Sequence, residues 1–215
     1  MVFDFSKENS LFNNFISEIR DEKVQQDRMR FRRNIHRIAE IMAYEVSKKL
    51  KYSPEIVTTP LGESKVNTLD DEVVVSTILR AGLPMLNGVL SYFDHADSAF
   101  VSAYRKHTSG DDFDIEVEYS TSPNIDNKVL ILTDPMLATG SSMYASYKEL
   151  IKNGNPKELH ILSVIASEEG LNFLQDKLPK STKYWLGAID NDLTAQGYIV
   201  PGFGDAGDLA FGHKL

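Results

Sequence analysis

Val129-Leu130-Ile131-Leu132-Thr133-Asp134-Pro135-Met136-Leu137-Ala138-Thr139-Gly140-Ser141-Ser142 runs from four apolar residues into an acid, small residues and hydroxyls, and Met143 to Lys152 continues as a helix-like pattern. A buried strand therefore hands over to a helix N-terminus within this stretch. Such a junction offers unpaired backbone N–H groups and the positive end of a helix dipole, which together suit a phosphate. The ligand class it predicts is a phosphorylated small molecule.

Working outward, three more apolar runs share the short, nearly continuous character expected of strands covered on both faces: Val73 to Leu79, Ala99 to Tyr104 and Leu159 to Ala166. Helical stretches follow three of the four runs, near Leu83 to Tyr92, Ser141 to Lys152 and Glu168 to Lys177, and Lys183 to Ile189 offers a further strand. That succession predicts an α/β fold, an open, mainly parallel twisted sheet with helices on both faces. Upstream, Phe31, Ile35, Ile38, Met42, Val46 and Leu50 recur every three to four residues, so Gln25 to Leu50 reads as one amphipathic helix stopped by Ser53-Pro54. Ile56 to Thr59 and Lys65 to Thr68 flank Pro60-Leu61-Gly62 as a small hairpin. Phe113 to Tyr119 alternates with period two, which suits a protruding antiparallel arm.

The 215 residues suffice for one core, read as a single domain over 1–215 with a helical N-terminal region at 1–55, a β-arm at 106–127 and a C-terminal loop region at 190–215. A net charge of −8 disfavours nucleic acid as a partner, since that affinity comes from clustered Lys and Arg. The absence of cysteine removes disulfides, thiolate nucleophiles and zinc-thiolate sites. Met1 to Ser6 has no basic-then-apolar leader pattern, and no apolar run approaches ~18 residues, so a cytoplasmic protein away from membranes is expected. There is no Gly-Lys pair for a Walker-type loop and no G-x-S-x-G elbow, and the five histidines lack metal-ligand spacing.

Ligands of open parallel sheets bind beyond the carboxyl ends of the strands. The residues placed there are Arg80, Arg105 and Asp134, two cations for a polyphosphate and a carboxylate for sugar hydroxyls or a metal. Each alone reads more readily as an ion-pair member or helix cap; together, at three strand ends, they read as a site. The glycine-rich Gly197 to Asp208 segment reads as a loop with exposed backbone groups, able to lie against a flat polar ring. Gly202, Gly204 and Gly207 spell G-x-G-x-x-G, but no βαβ unit accompanies them and the dinucleotide reading is set aside.

Four pieces in this order, Ile78-Leu79-Arg80-Ala81-Gly82-Leu83, Tyr104-Arg105, Asp134 to Ser142 with its single acid before proline, and Gly197 to Asp208, give the chain its family likeness. It resembles the uracil phosphoribosyltransferases of the type I phosphoribosyltransferase family. The resemblance implies that Arg80, Arg105, Asp134, Pro135, Met136, Leu137, Ala138, Thr139, Gly140, Ser141, Ser142 and Asp205 bind 5-phosphoribosyl 1-diphosphate. It implies that Ile199, Gly204, Asp205 and Ala206 bind uracil, largely through backbone groups, with Tyr198 flanking the base. UMP and diphosphate are the implied products. Mg2+ is implied, carried mainly by donor oxygens with no metal ligands from the protein, and so is a homodimer or larger homo-oligomer. Two readings stand beside this one: a donor-binding regulator without turnover, and a phosphoribosyltransferase for another base. The chain departs from the commoner family pattern at Pro84 and Ser141, where glycine is usual, and at Leu209, where a basic residue is common. Proline is tolerated if position 84 starts a helix, and Ser141 is disfavoured if its position needs positive φ.

Overall fold

A computed structural model describes the backbone of residues 1–107 and 113–213, and their side chains except those of 104–107 and 113–116. The chain opens with β1 (Val2–Asp4), α1 (Leu11–Arg20) and α2 (Arg28–Ser47), followed by the ribbon β2 (Tyr52–Thr59) and β3 (Gly62–Leu69). Then come β4 (Val73–Leu79), α3 (Leu83–Leu90), β5 (Asp97–His107), β6 (Phe113–Thr121), β7 (Val129–Thr133), β8 (Met136–Leu137) and α4 (Ser141–Leu150). The last third supplies β9 (Glu158–Ser167), α5 (Glu168–Lys177), β10 (Lys183–Asp190), β11 (Asp192–Leu193), β12 (Ile199–Val200) and α6 (Ala206–Phe211).

The main sheet has the order β1-β10-β9-β7-β4-β5-β6, with β8 beside β9. Every pairing in it is parallel except β5 with β6. Alternate residues of each central strand point to opposite faces, and two apolar layers result. Val73, Val75, Val129, Ile131, Leu162 and Val164 meet α1, α2, α3 and α6 on one face. Val74, Leu130, Leu132 and Ile161 meet α4 and α5 on the other. The mainly parallel α/β sheet predicted from the apolar runs is what the chain forms. No helix among the described residues is long and apolar enough to cross a membrane.

Several boundaries differ from expectation for identifiable reasons. The helix predicted over Gln25 to Leu50 is α2, begun at Arg28 because the Asp27 carboxylate accepts from the Met29 and Arg30 N–H groups. It ends at Ser47, well before Pro54, which lies instead within β2 opposite Asn67. Among the described residues only two strands form that ribbon, which leaves one backbone edge of each outside the pairing, and proline is tolerated there. The predicted Pro60-Leu61 hairpin turn is present, with Thr59 opposite Gly62. Two N-terminal elements were not anticipated: α1, begun by a capping box between Ser10 and Asn13 and amphipathic through Phe12, Phe15, Ile16 and Ile19 at helical spacing, and the three-residue β1 that adds to β10. Of the predicted arm, residues 108–112 lie outside the described residues. Its flanks are β5 and β6, paired from Phe100↔Thr121 to His107↔Phe113 with a bulge at Ser102/Ala103.

At the amino-terminal end of the sheet His160 is fully buried under Trp185. The indole Nε1–H donates to His160 Nδ1 at 3.0 Å, so the ring proton sits on Nε2 and donates to Glu158 Oε1 at 2.9 Å, an oxygen shared with Lys183. Burial pushes the imidazole down to about 4, against a small opposing pull from Asp71. Its folded pKa lies below the unfolded value of 6.5, so its contribution is complete above pH 6.5 and is lost as pH falls towards 4. The loss over that window is about 3 kcal/mol. Urea unfolding of wild type should therefore weaken from pH 6.5 to 4 more than that of His160→Gln, and parallel profiles would show that His160 is not held neutral.

Candidate active site

The carboxyl ends of β4 and β7 and the C-terminal segment enclose a cavity of about 460 Å³. Asp134, Leu137, Thr139 and Gly140 line one side of it, and Tyr198 and Asp205 line another. Two stretches far apart in sequence thus face one space.

The Asp134–Ser142 loop forms as its residues dictate. Asp134 follows the last buried residue of β7 and accepts from the Met136 N–H at 3.3 Å through its own carboxylate. Gly140 turns the chain at φ +80° and ψ −12°, a left-handed conformation that glycine adopts without a Cβ penalty, and α4 begins at the next residue. The amides of the first helical turn therefore open onto the loop. Ser141, the residue where the family pattern usually has glycine, lies in the first turn of α4 and not at the positive-φ position. Its N–H faces Thr139 Oγ1 at 3.4 Å, and the Thr139 hydroxyl donates to Ser141 Oγ at 3.2 Å.

The loop is braced from behind. Ser167, fully buried at the end of β9, donates to the Ala138 carbonyl at 2.5 Å and accepts from the Gly170 N–H at 2.9 Å, capping α5 in the same gesture. Gly170 packs so closely that a Cβ there would overlap the Ala138 carbonyl oxygen. Between the adjacent strands β4 and β7 the hydroxyls of Thr77 and Thr133 bond to each other at 3.0 Å.

Asp134 carries the largest resolved electrostatic perturbation in the cavity. Burial pushes its carboxyl up to about 7, the Asp205 carboxylate adds to the rise, and the Met136 N–H opposes it. Near neutrality this group is poised between charged and neutral forms, a condition a bound cation or hydroxyl would resolve.

The C-terminal segment is more ordered than its glycines suggest. Ile199 and Val200 pair with Leu193 and Asp192, and Ala206–Phe211 is a helix whose N-cap Asp205 accepts from the Asp208 N–H at 2.9 Å. Residues 201–205 remain the loop that was expected. Ile199 is buried in the core, and neither it nor Gly204 is among the residues lining the cavity.

A model of one protein family, described as uracil phosphoribosyltransferase, matches residues 6–213. The chain belongs to that family. A uracil phosphoribosyltransferase of Porphyromonas gingivalis is 53% identical over 214 residues, covering 100% of this chain and 99% of the relative. One from Thermococcus gammatolerans is 36% identical over 215 residues, covering 98% and 94%. A solved structure of an Aquifex aeolicus protein superposes with a TM-score of 0.88 at 28% identity, over 99% of this chain and 98% of that one.

Against the uracil phosphoribosyltransferase pattern, the residues expected to act together are partly assembled. Asp134, Met136 to Gly140, Ser142, Asp205 and Ala206 share the cavity wall. Pro135 is buried behind it. The Arg80 guanidinium is held by Asp208 Oδ1 at 3.4 Å and the Gly212 carbonyl at 3.1 Å, at the far end of α6. Arg105 was expected just beyond a strand end. It lies within β5 instead, opposite Ile115, because the strand continues past its last pairing with β4 by bonding to β6. Its side chain is outside the described residues. Pro84 occupies the first turn of α3, where its missing N–H costs nothing, as expected. Ser167 and Gly170 carried no signal of their own in the sequence. Their roles depend on α5 packing onto a loop about thirty residues earlier.

Proposed function

We propose that the protein transfers the 5-phosphoribosyl group from 5-phosphoribosyl 1-diphosphate to uracil, giving UMP and diphosphate. The observation that carries this reading is the single cavity shared by the Asp134–Ser142 loop and by Tyr198, Asp205 and Ala206. A phosphate cradle and a backbone-rich segment suited to a flat polar ring face each other across it.

In this reading the amides at Thr139 to Ser142 hold the 5′-phosphate and Asp134 faces the ribose hydroxyls. Arg80 and Arg105 attend the diphosphate, Arg80 after exchanging its Asp208 contact. Uracil lies against Tyr198 and the backbone around Ile199 and Gly204 to Ala206. Breaking the C1–O bond sends its electron pair to diphosphate and builds positive charge on the ribose ring. The uracil nitrogen then bonds to C1 and releases its proton. Cationic groups at the leaving oxygens act where charge develops, and alignment of the two substrates supplies further rate.

The residues present suit a cation that arrives with the donor. No group of three or more acidic or histidine side chains that could hold a metal occurs among the described residues. Asp134 and Asp205, which repel each other across the cavity, are the carboxylates that would face Mg2+ on the donor. When bound, the ion would neutralise charge on the leaving diphosphate. The same reading makes the protein a cytoplasmic salvage enzyme. It also makes it a homodimer or larger, which the fully exposed Leu61 and exposed Ile56 of the β2–β3 ribbon support.

Incubation with donor, Mg2+ and each of uracil, cytosine and hypoxanthine is expected to yield product from uracil by a margin of at least about 100-fold in kcat/KM. Cytosine replaces a carbonyl acceptor by an amino donor and would leave backbone groups unpaired. No UMP from folded protein with both substrates would overturn the assignment, and faster turnover of hypoxanthine would reassign the base.

A further inference from the structure

The C-terminal segment is tethered at one residue by two side chains from elsewhere in the fold. Gly202 donates its N–H to Asp190 Oδ2 at 2.9 Å, and its carbonyl accepts from Arg20 Nη1 at 3.0 Å. The two side chains grip each other in a bidentate pair, Nη1 to Oδ2 and Nη2 to Oδ1, each at 2.8 Å. Asp190 is 7% exposed and ends β10, while Arg20 ends α1, whose terminal carbonyls at Ile19 and Arg20 are bonded by Gln25 Nε2. Gly202 itself is left-handed at φ +50°, and a side chain there would overlap the Ile199 carbonyl. The next residue, Phe203, is buried with its ring 5.6 Å from that of Phe31 on α2. Both peptide groups of Gly202 are thus fixed two residues before Gly204.

We infer that Arg20 and Asp190 are positioning residues for base recognition, which set the placement of the Gly204-Asp205-Ala206 backbone through Gly202. This rests on the proposed uracil transfer. A charged pair is suited to the task because its hydrogen bonds are strong and planar, so both the distance and the tilt of the Gly202 peptides are defined. Recognition by backbone groups needs such external support, since the groups that would bond the base move with the main chain. The Asp134–Ser142 loop lies on other supports, at Ser167 and Gly170, so the pair reaches the donor side of the cavity only through the C-terminal segment.

The test is a steady-state comparison of wild type, Asp190→Ala, Arg20→Ala and the conservative Asp190→Asn, with Glu18→Gln as a control on the same helix. Glu18 contacts only Arg30 and Asn34 among the hydrogen bonds of α1 and α2. The alanine variants are expected to raise the KM for uracil about tenfold and to lower the preference for uracil over cytosine by a similar factor, with a clearly smaller rise in donor KM transmitted through Asp205. Asp190→Asn should fall between, and Glu18→Gln should match wild type. Equal changes in both KM values, or an unchanged base preference, would overturn the inference. If Asp190→Ala does not fold, Arg20→Ala and Asp190→Asn give the same comparison. Absence of wild-type turnover would count against the proposed reaction and is distinguishable from either result.

Discussion

Asp134→Asn is expected to yield a protein that is more stable than wild type and nearly inactive. The Asp134 carboxyl is pushed up to about 7 by burial, so its folded pKa lies above the unfolded value of 3.8. For an acid shifted in this direction the favourable contribution is complete below the unfolded pKa and is lost as pH rises through the folded one. Above pH 7 the ionised carboxylate then costs up to about 4 kcal/mol relative to an unshifted group. Asparagine keeps the shape and retains an acceptor for the Met136 N–H while removing the charge. Chemical denaturation should show a gain of roughly 2–4 kcal/mol at pH 8 and little at pH 4. The same substitution removes the carboxylate proposed to face the ribosyl donor, and kcat/KM should fall by about 100-fold or more. A variant no more stable at pH 8 would refute the buried-charge account. A variant with wild-type kcat/KM would remove Asp134 from the donor site. A stabilising change that destroys activity is what a functional carboxylate in a poorly solvated position entails.

Gly170→Ala should damage donor binding from outside the cavity. The added methyl would overlap the Ala138 carbonyl, which also accepts the Ser167 hydroxyl, so the loop must move or the α5 terminus must retreat. Overpacking of this kind costs about 1–3 kcal/mol of stability. Moving the Ala138 peptide shifts Thr139 and Gly140, whose neighbouring amides are proposed to cradle the 5′-phosphate. A displacement near 1 Å can lower a rate about 100-fold. The expected signature is a donor KM raised by one to two orders of magnitude, a lowered Tm and a uracil KM close to wild type. A lowered Tm with unchanged donor KM would mean that Gly170 serves packing alone.

The sheet was legible because its strands are apolar on both faces. Val73–Leu79 and Val129–Thr133 were nearly bounded by their runs, and Glu168–Lys177 by its periodicity. The conformation of the Asp134–Ser142 loop was equally readable, since a strand end, an acid, a glycine and hydroxyls are consecutive. Position 141 shows the limit of pattern matching. Serine is accommodated there because the left-handed turn falls on Gly140, a fact that only the backbone angles reveal. The supports were illegible for a different reason. Arg20 and Asp190 are 170 positions apart, and Ser167 is 29 from Ala138, so no local period links them. Arg105 was misplaced because strand length depends on its partner, and β6 extends β5 beyond its apolar run.

The two apolar layers on either side of the sheet meet at the Asp134–Ser142 loop. Leu137 and Met143 pack into the layer under α4 and α5, whereas Met136 and Ala138 pack against the layer that carries α1, α2 and the C-terminal segment. A disturbance of the core on either face of the sheet therefore reaches this one loop.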